Sequence, residues 1–166
     1  ADIAARGETV ATLRASEAVI YSRFGYGIAG SHTPARIDLR RTDIRPFPES
    51  GHVRLFDPDS PLRQRLHADT RQPGAITRYP AWWRSRELRD QQSATHRYLA
   101  VHSTAGVDDG YLAYRAVPEG DWFTNPDKTI RVTDLVAHND GAYRDLWRYL
   151  LSIDLVDVVE IDSLSL

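Results

Sequence analysis

The residues best placed for chemistry lie in Ser16-Glu17-Ala18-Val19-Ile20-Tyr21-Ser22-Arg23-Phe24-Gly25-Tyr26-Gly27. A short apolar segment precedes them, Thr9-Val10-Ala11-Thr12-Leu13-Arg14, whose alternation and β-branched start predict a half-buried strand. Ser16 follows as a helix N-cap, and Glu17 lies in the first turn, where the macrodipole favours an acid. Gly25 stands where a left-handed cap would end the helix, so Tyr21 falls midway along it. A phenol with an ordinary pKa of about 10 stays protonated at neutral pH and can donate its proton to a departing thiolate with a pKa of about 8.5. The plainer reading is a packing tyrosine on a short amphipathic helix, with Ser16 and Glu17 serving only as caps. Tyr26 is a second phenol nearby, but it follows Gly25 and belongs to the turn.

Other chemistry-bearing residues read as structural. Trp82 and Trp83 are adjacent, so on a helix they point about 100° apart and cannot make one flat platform. The histidines at 32, 52, 67, 96, 102 and 138 show no H-x-x-x-H or H-E-x-x-H spacing, and no metal site is expected. No G-x-S-x-G elbow occurs and no serine has an evident base. With no cysteine there is neither a disulfide framework nor a thiol nucleophile.

The elements that must position these residues can be read by period and punctuation. Ala1 to Arg6 resembles the last turns of a helix ending at Gly7, and Ile28 to Arg41 is extended and interrupted by polar residues. Thr42 to Gly51, with two prolines and a glycine, is a connector. Beyond it the pattern predicts a strand at 52–56 and helices near 61–69 and 80–88, each opened by proline. Strands at 97–103, 110–117 and 129–137 should form an antiparallel meander, the first two joined by a turn at 106–110. A helix near 140–153 and a strand near 156–161 complete the order β-α-α-β-β-β-α-β.

Composition bounds the rest. The 166 residues are 42% apolar and 27% charged with net charge −2, which suits an ordinary globular protein with room for one core. The 21 basic residues are scattered among 23 acids, so a nucleic-acid partner is not expected. No segment approaches the roughly 18 apolar residues of a membrane span and no signal peptide opens the chain, so a cytoplasmic protein is the expectation. The missing initiator methionine and the abrupt ending after a strand suggest an excerpt of a longer polypeptide.

The segment from Ser16 to Gly27 resembles the S-E-x-x-I-Y-x-R-F-G-Y-G motif of the Eis (enhanced intracellular survival) family of acetyl-CoA-dependent N-acetyltransferases. Further stretches are similar across the chain: Pro73-Gly74-Ala75-Ile76-Thr77-Arg78, Pro80-Ala81-Trp82-Trp83, Gly110-Tyr111-Leu112-Ala113-Tyr114-Arg115 and Leu146-Trp147-Arg148-Tyr149-Leu150-Leu151. The resemblance implies an α/β (α+β) GNAT acyltransferase fold, a mixed and mainly antiparallel sheet flanked by helices. It implies a division into 1–40, the end of a catalytic N-terminal GNAT domain, a linker at 41–51, and a central GNAT domain at 52–166, incomplete at its C-terminus. It further implies direct acetyl transfer from acetyl-CoA to an amine of an aminoglycoside or related small molecule, in homohexamers. Tyr21 would protonate the coenzyme A thiolate, while Ser16 and Glu17 would line the acetyl-CoA site. The family's general base is the carboxylate at the subunit's own C-terminus, which Leu166 cannot be assumed to supply.

One departure from the family pattern stands out. A working GNAT domain holds pyrophosphate on a Q/R-x-x-G-x-G/A loop that opens a helix. Here the matching stretch is Val136-Ala137-His138-Asn139-Asp140-Gly141-Ala142, which lacks the paired glycines and puts an acid where phosphate should lie. The central domain is therefore expected not to bind coenzyme A in the usual way. The alternative from another class is a noncatalytic GNAT-like binding or oligomerisation module, and a third option is a peptidyl amine acceptor.

Overall fold

The computed structural model describes residues 2–13, 15–30, 32–43, 45–71, 75–93, 95–117 and 127–165. The chain divides into two compact units, one comprising 1–32 with 165–166 and the other 33–164. Pro73, Gly74, Arg14 and Leu166 lie outside the described residues.

In the first unit, helix α1 (Asp2–Ala5) stops at Gly7, whose φ of +74° suits a residue without a Cβ and whose N–H donates to Ala4 O at 3.0 Å. The strand expected at 9–14 is not formed over the described residues 9–13. Alternation supplies a face but not a partner: a strand persists only with a neighbouring ladder, and none pairs with this segment among the described residues. Val10 is 74% exposed as a result. Helix α2 (Ala18–Ser22) follows, and its N-cap is Glu17, not Ser16, with no side-chain cap bond. Gly25 has φ +84° and donates its N–H to Ser22 O at 3.0 Å, the left-handed ending expected of it.

The second unit is a six-stranded sheet, β1 (His32–Asp38), β2 (His52–Phe56), β3 (Arg97–Thr104), β4 (Val107–Ala116), β5 (Thr129–Ala137) and β6 (Val158–Ser165). Its spatial order is β1-β6-β5-β4-β3-β2. Pairs β2–β3, β3–β4 and β4–β5 are antiparallel, and β5–β6 is parallel from Thr129↔Val158 to Val132↔Ile161. The meander and its flanking elements thus stand where the periodicity puts them.

Alternation assigns the two faces. Ala100 and Leu112 point to one side with Leu146 and Leu150 of α5 (Asp140–Leu151), while Leu99, Val101, Tyr111 and Ala113 meet Leu62 and Leu66 of α3 (Leu62–Ala68) on the other. Helix α4 (Pro80–Gln91) has proline in its first turn and buries Trp83.

The β3–β4 turn is tighter than expected. Ala105 (φ 49°) and Gly106 (φ 82°) both take positive φ, the two-residue hairpin turn whose twist matches its strands. Residues 107–110 therefore join β4. Because His102 pairs with Gly110 and Ser103 with Asp108, Asp109 is the extra residue of a bulge.

Candidate functional site

Helix α2 holds Tyr21 half-buried at its centre. The Tyr26 ring meets it edge-on at 6.2 Å between centroids, and the Tyr26 N–H donates to Tyr21 O at 3.3 Å, so the turn at Gly25 folds one phenol against the other. Phe24 N–H also donates to Tyr21 O, at 3.0 Å. Ser16 and Glu17 are exposed on the approach to the helix. Glu17 contributes its backbone carbonyl, which accepts from Ile20 N–H at 3.3 Å. The three residues named from the sequence share one turn of chain, and among the described residues no hydrogen bond joins their side chains.

The second unit contains two buried polar clusters that sequence reasoning missed. The first centres on His102, 0% exposed, whose Nδ1 lies 2.5 Å from Asp109 Oδ1 and Nε2 3.1 Å from Asp145 Oδ2. Ser50 Oγ is 3.5 Å from the same Nε2, so a serine does have a histidine beside it, with an aspartate behind. The arrangement resembles a nucleophilic triad without being able to act as one. Ser50 Oγ already donates to Asp145 Oδ2 at 2.7 Å, and a ring flanked by two carboxylates has no free nitrogen with which to accept the serine proton.

The second cluster centres on Asp134, which accepts from Arg78 Nη1 and Nη2 at 2.5 and 2.9 Å and from Tyr111 Oη at 2.8 Å. Burial alone would raise the Asp134 carboxyl, but Arg78 and then Arg63 outweigh it and hold it below its ordinary value. Burial and the Asp134 charge push the Tyr111 phenol up. Arg78 lies over Trp82 and Trp83, at 4.5 and 5.3 Å from the ring centroids. The two indoles meet nearly perpendicular, at 87°.

Beside this cluster a cleft of about 330 Å³ opens between α3, residues 75–78 and α4, lined by His67, Thr70, Ile76, Thr77, Arg78 and Trp83 among others. Burial, then the Arg78 charge, lowers the His67 pKa from its ordinary value, which leaves a neutral imidazole at pH 7. The cleft offers an aromatic wall, hydroxyls and this imidazole to a small polar molecule.

The start of α5 does not fit a polyphosphate. Asn139 Oδ1 accepts the Ala142 N–H at 2.8 Å, Asn139 Nδ2 donates to Asp109 Oδ2 at 2.9 Å, and His138 Nε2 donates to Leu66 O at 2.8 Å. A Cβ on Gly141 would stand 2.5 Å from Ser50 Oγ, so the glycine makes room for the protein's own chain. Protein groups thus occupy the donors and the space that a phosphate loop reserves for its ligand.

The sequence model of the acetyltransferase (GNAT) domain matches residues 74–166. An uncharacterised N-acetyltransferase of Streptomyces avermitilis is 34% identical over 166 residues, covering 93% of this chain and 40% of that protein. The N-acetyltransferase Eis of Mycobacterium tuberculosis is 30% identical over 172 residues, covering 96% and 40%. The crystal structure of an Eis protein of Mycobacterium abscessus superposes with a TM-score of 0.86 at 43% identity, over 99% of this chain and 42% of that one. The chain thus spans about two fifths of the length of the relatives it matches. It belongs to the GNAT acetyltransferase family and is similar, through both of its units, to the Eis N-acetyltransferases.

Proposed function

We propose that the protein carrying this chain transfers the acetyl group of acetyl-CoA to an amine of a small molecule of the aminoglycoside type. The observation that carries the reading is the similarity to Eis proteins over 99% of the chain, which includes the Ser16–Gly27 segment as well as the sheet. In this reading the amine nitrogen attacks the thioester carbonyl, the carbon–sulfur bond breaks, and Tyr21 gives its proton to the leaving thiolate. Ser16 and Glu17 line the acetyl-CoA site. The base that takes the amine proton is supplied from outside these residues.

The second unit has an architectural and pocket-shaping role and does not hold coenzyme A by the usual loop. Its support is the filled start of α5. Assembly into homohexamers and action in the cytoplasm complete the proposal. The test is a thiol-release assay of the full-length protein with acetyl-CoA and a panel of aminoglycosides. Free thiol appearing in proportion to added amine supports the reading; thiol release indifferent to every amine opposes it.

A further inference from the structure

Helix α3 carries Leu62 and Leu66 onto the sheet, and Arg63, one residue along, is carried in beside them with 9% of its surface exposed. Its guanidinium lies 5.2 Å over the Trp83 ring, and its Nη2 stands 3.6 Å from Asp134 Oδ2. That oxygen already accepts from Arg78 Nη1 and Tyr111 Oη, and Oδ1 accepts from Arg78 Nη2, whereas Arg63 stays beyond hydrogen-bond reach. Arg63 Nε and Nη2 are both buried, and neither has a hydrogen-bond partner among the described residues. The Trp83 ring attracts the charge but offers no lone pair to an N–H. Two donors of a buried cation thus call for an acceptor, as buried polar groups in folded proteins generally do.

Arg63 stands in the wall of two adjoining cavities, each of about 20 Å³, that share Pro58, Asp90 and Arg97 with it. Each has room for one particle the size of a water. Arg115 and Thr133 extend the first wall, and Arg86 and Glu87 extend the second. The acids here are engaged with other groups. Asp59 accepts from Arg97 twice, at 2.8 and 3.2 Å, Asp90 lies 3.8 Å from Arg97 and 4.0 Å from Arg86, and Glu87 accepts from Gln64 at 3.2 Å. The arginines at 63, 78, 86, 97 and 115 face Asp59, Glu87, Asp90 and Asp134, a surplus of one positive charge. Burial, then repulsion by the Arg63 charge, lowers the Arg86 pKa from its ordinary value, which fits a locality short of negative charge.

We propose that Arg63, with Arg86 and Arg97 at the rim, binds a small inorganic anion of chloride size between α3, α4 and the start of β3. A water would accept from the two N–H groups and leave the surplus charge in place. A halide accepts from them and also neutralises that charge, in a site of low dielectric where the attraction is strong. Phosphate, sulfate and carboxylate ligands carry several heavy atoms and exceed a space of one water-sized particle. The Arg86 and Arg97 side chains are 23% and 22% exposed, so the ion reaches Arg63 from solvent between them. Once bound it links the helix that carries Arg63 to the helix that carries Arg86 and to β3 at Arg97. None of these groups takes part in the proposed acetyl transfer.

The test is crystallography of the full-length protein over a bromide series, read by the anomalous signal, together with ³⁵Cl line widths in solution. A bromide peak should lie within hydrogen-bond reach of Arg63 Nε or Nη2 and reach half occupancy below about 0.15 M, the physiological ionic strength. The chloride line of the unmodified protein should carry a saturable excess width that bromide displaces. In Arg63→Met the half-saturation concentration of that excess should rise about tenfold or more, the loss expected on removing charge-assisted donors. A water in place of bromide at Arg63, or a peak that appears only at molar bromide as an adventitious ion, overturns the proposal, and so does an excess width that a folded Arg63→Met leaves unchanged. The crystal reading needs no variant, so it decides the matter even where Arg63→Met does not fold.

Discussion

Gly51 leaves no space for a side chain, because a Cβ would fall 2.2 Å from a backbone carbonyl that the β2–β3 ladder holds in place. Gly51→Ala should therefore lower stability by about 1–3 kcal/mol, the usual cost of overpacking a tight site, read as a lower urea midpoint. Asp134→Asn removes the charge that buried Arg63 and half-buried Arg78 share, with Arg78 at 2.5 Å and Arg63 at 3.6 Å. A loss of roughly 3–5 kcal/mol is expected, in the range seen when one member of a buried ion pair is removed. At this scale a sequence brings forward only groups that are contiguous in the chain. Tyr21, Ser16 and Glu17 sit within six residues, whereas His102 meets Asp145 across a separation of 43. Asp109 is close in sequence, but it reaches the ring only because a bulge turns it there, and no residue period announces a bulge.

Elements were read well where burial imposes a period. The strand at 129–137 has the expected limits, and alternation in β3 and β4 assigns two packed faces; the strand at 52–56 also has them, though it is mostly exposed and is bounded by Gly51 and by Asp57-Pro58. The reading failed at 9–13, where a strand-like pattern has no ladder to join, and at the β3–β4 turn, where Asp108-Asp109-Gly110 looked like the loop itself. Helix α4 runs three residues past its expected end, and its added turn includes Asp90, which pairs with Arg97 at 3.8 Å and Arg86 at 4.0 Å. At the start of α5, Asn139 both caps the helix and ties it to Asp109. Asn139→Ala should cost about 1–2 kcal/mol, measured by thermal or urea unfolding, a cap loss with the part-buried donor to Asp109 removed as well.

The whole molecule carries these effects into its pH dependence. Asp109, Asp134 and Asp145 all have carboxyls held below their ordinary value. Their contribution to stability is present in full above that value, and it is lost as pH falls through the lower, folded-state pKa values. Tyr111 and Tyr114 have phenols pushed above 10.0, so their contribution is present below pH 10 and erodes above it. Urea midpoints should fall beyond both limits, and His67, whose pKa burial and Arg78 lower from 6.5, should add a smaller decline as pH falls below that value. The filled start of α5 makes a second prediction at this scale: the full-length protein should bind one acetyl-CoA per subunit in titration calorimetry, not two.

The most direct measurement is kcat of the full-length protein carrying Tyr21→Phe, with saturating acetyl-CoA and an aminoglycoside acceptor. Removing a positioned general acid should lower kcat by about 10²-fold or more with the acetyl-CoA affinity retained. An unchanged kcat would contradict the assignment of Tyr21 as the group that protonates the departing thiolate.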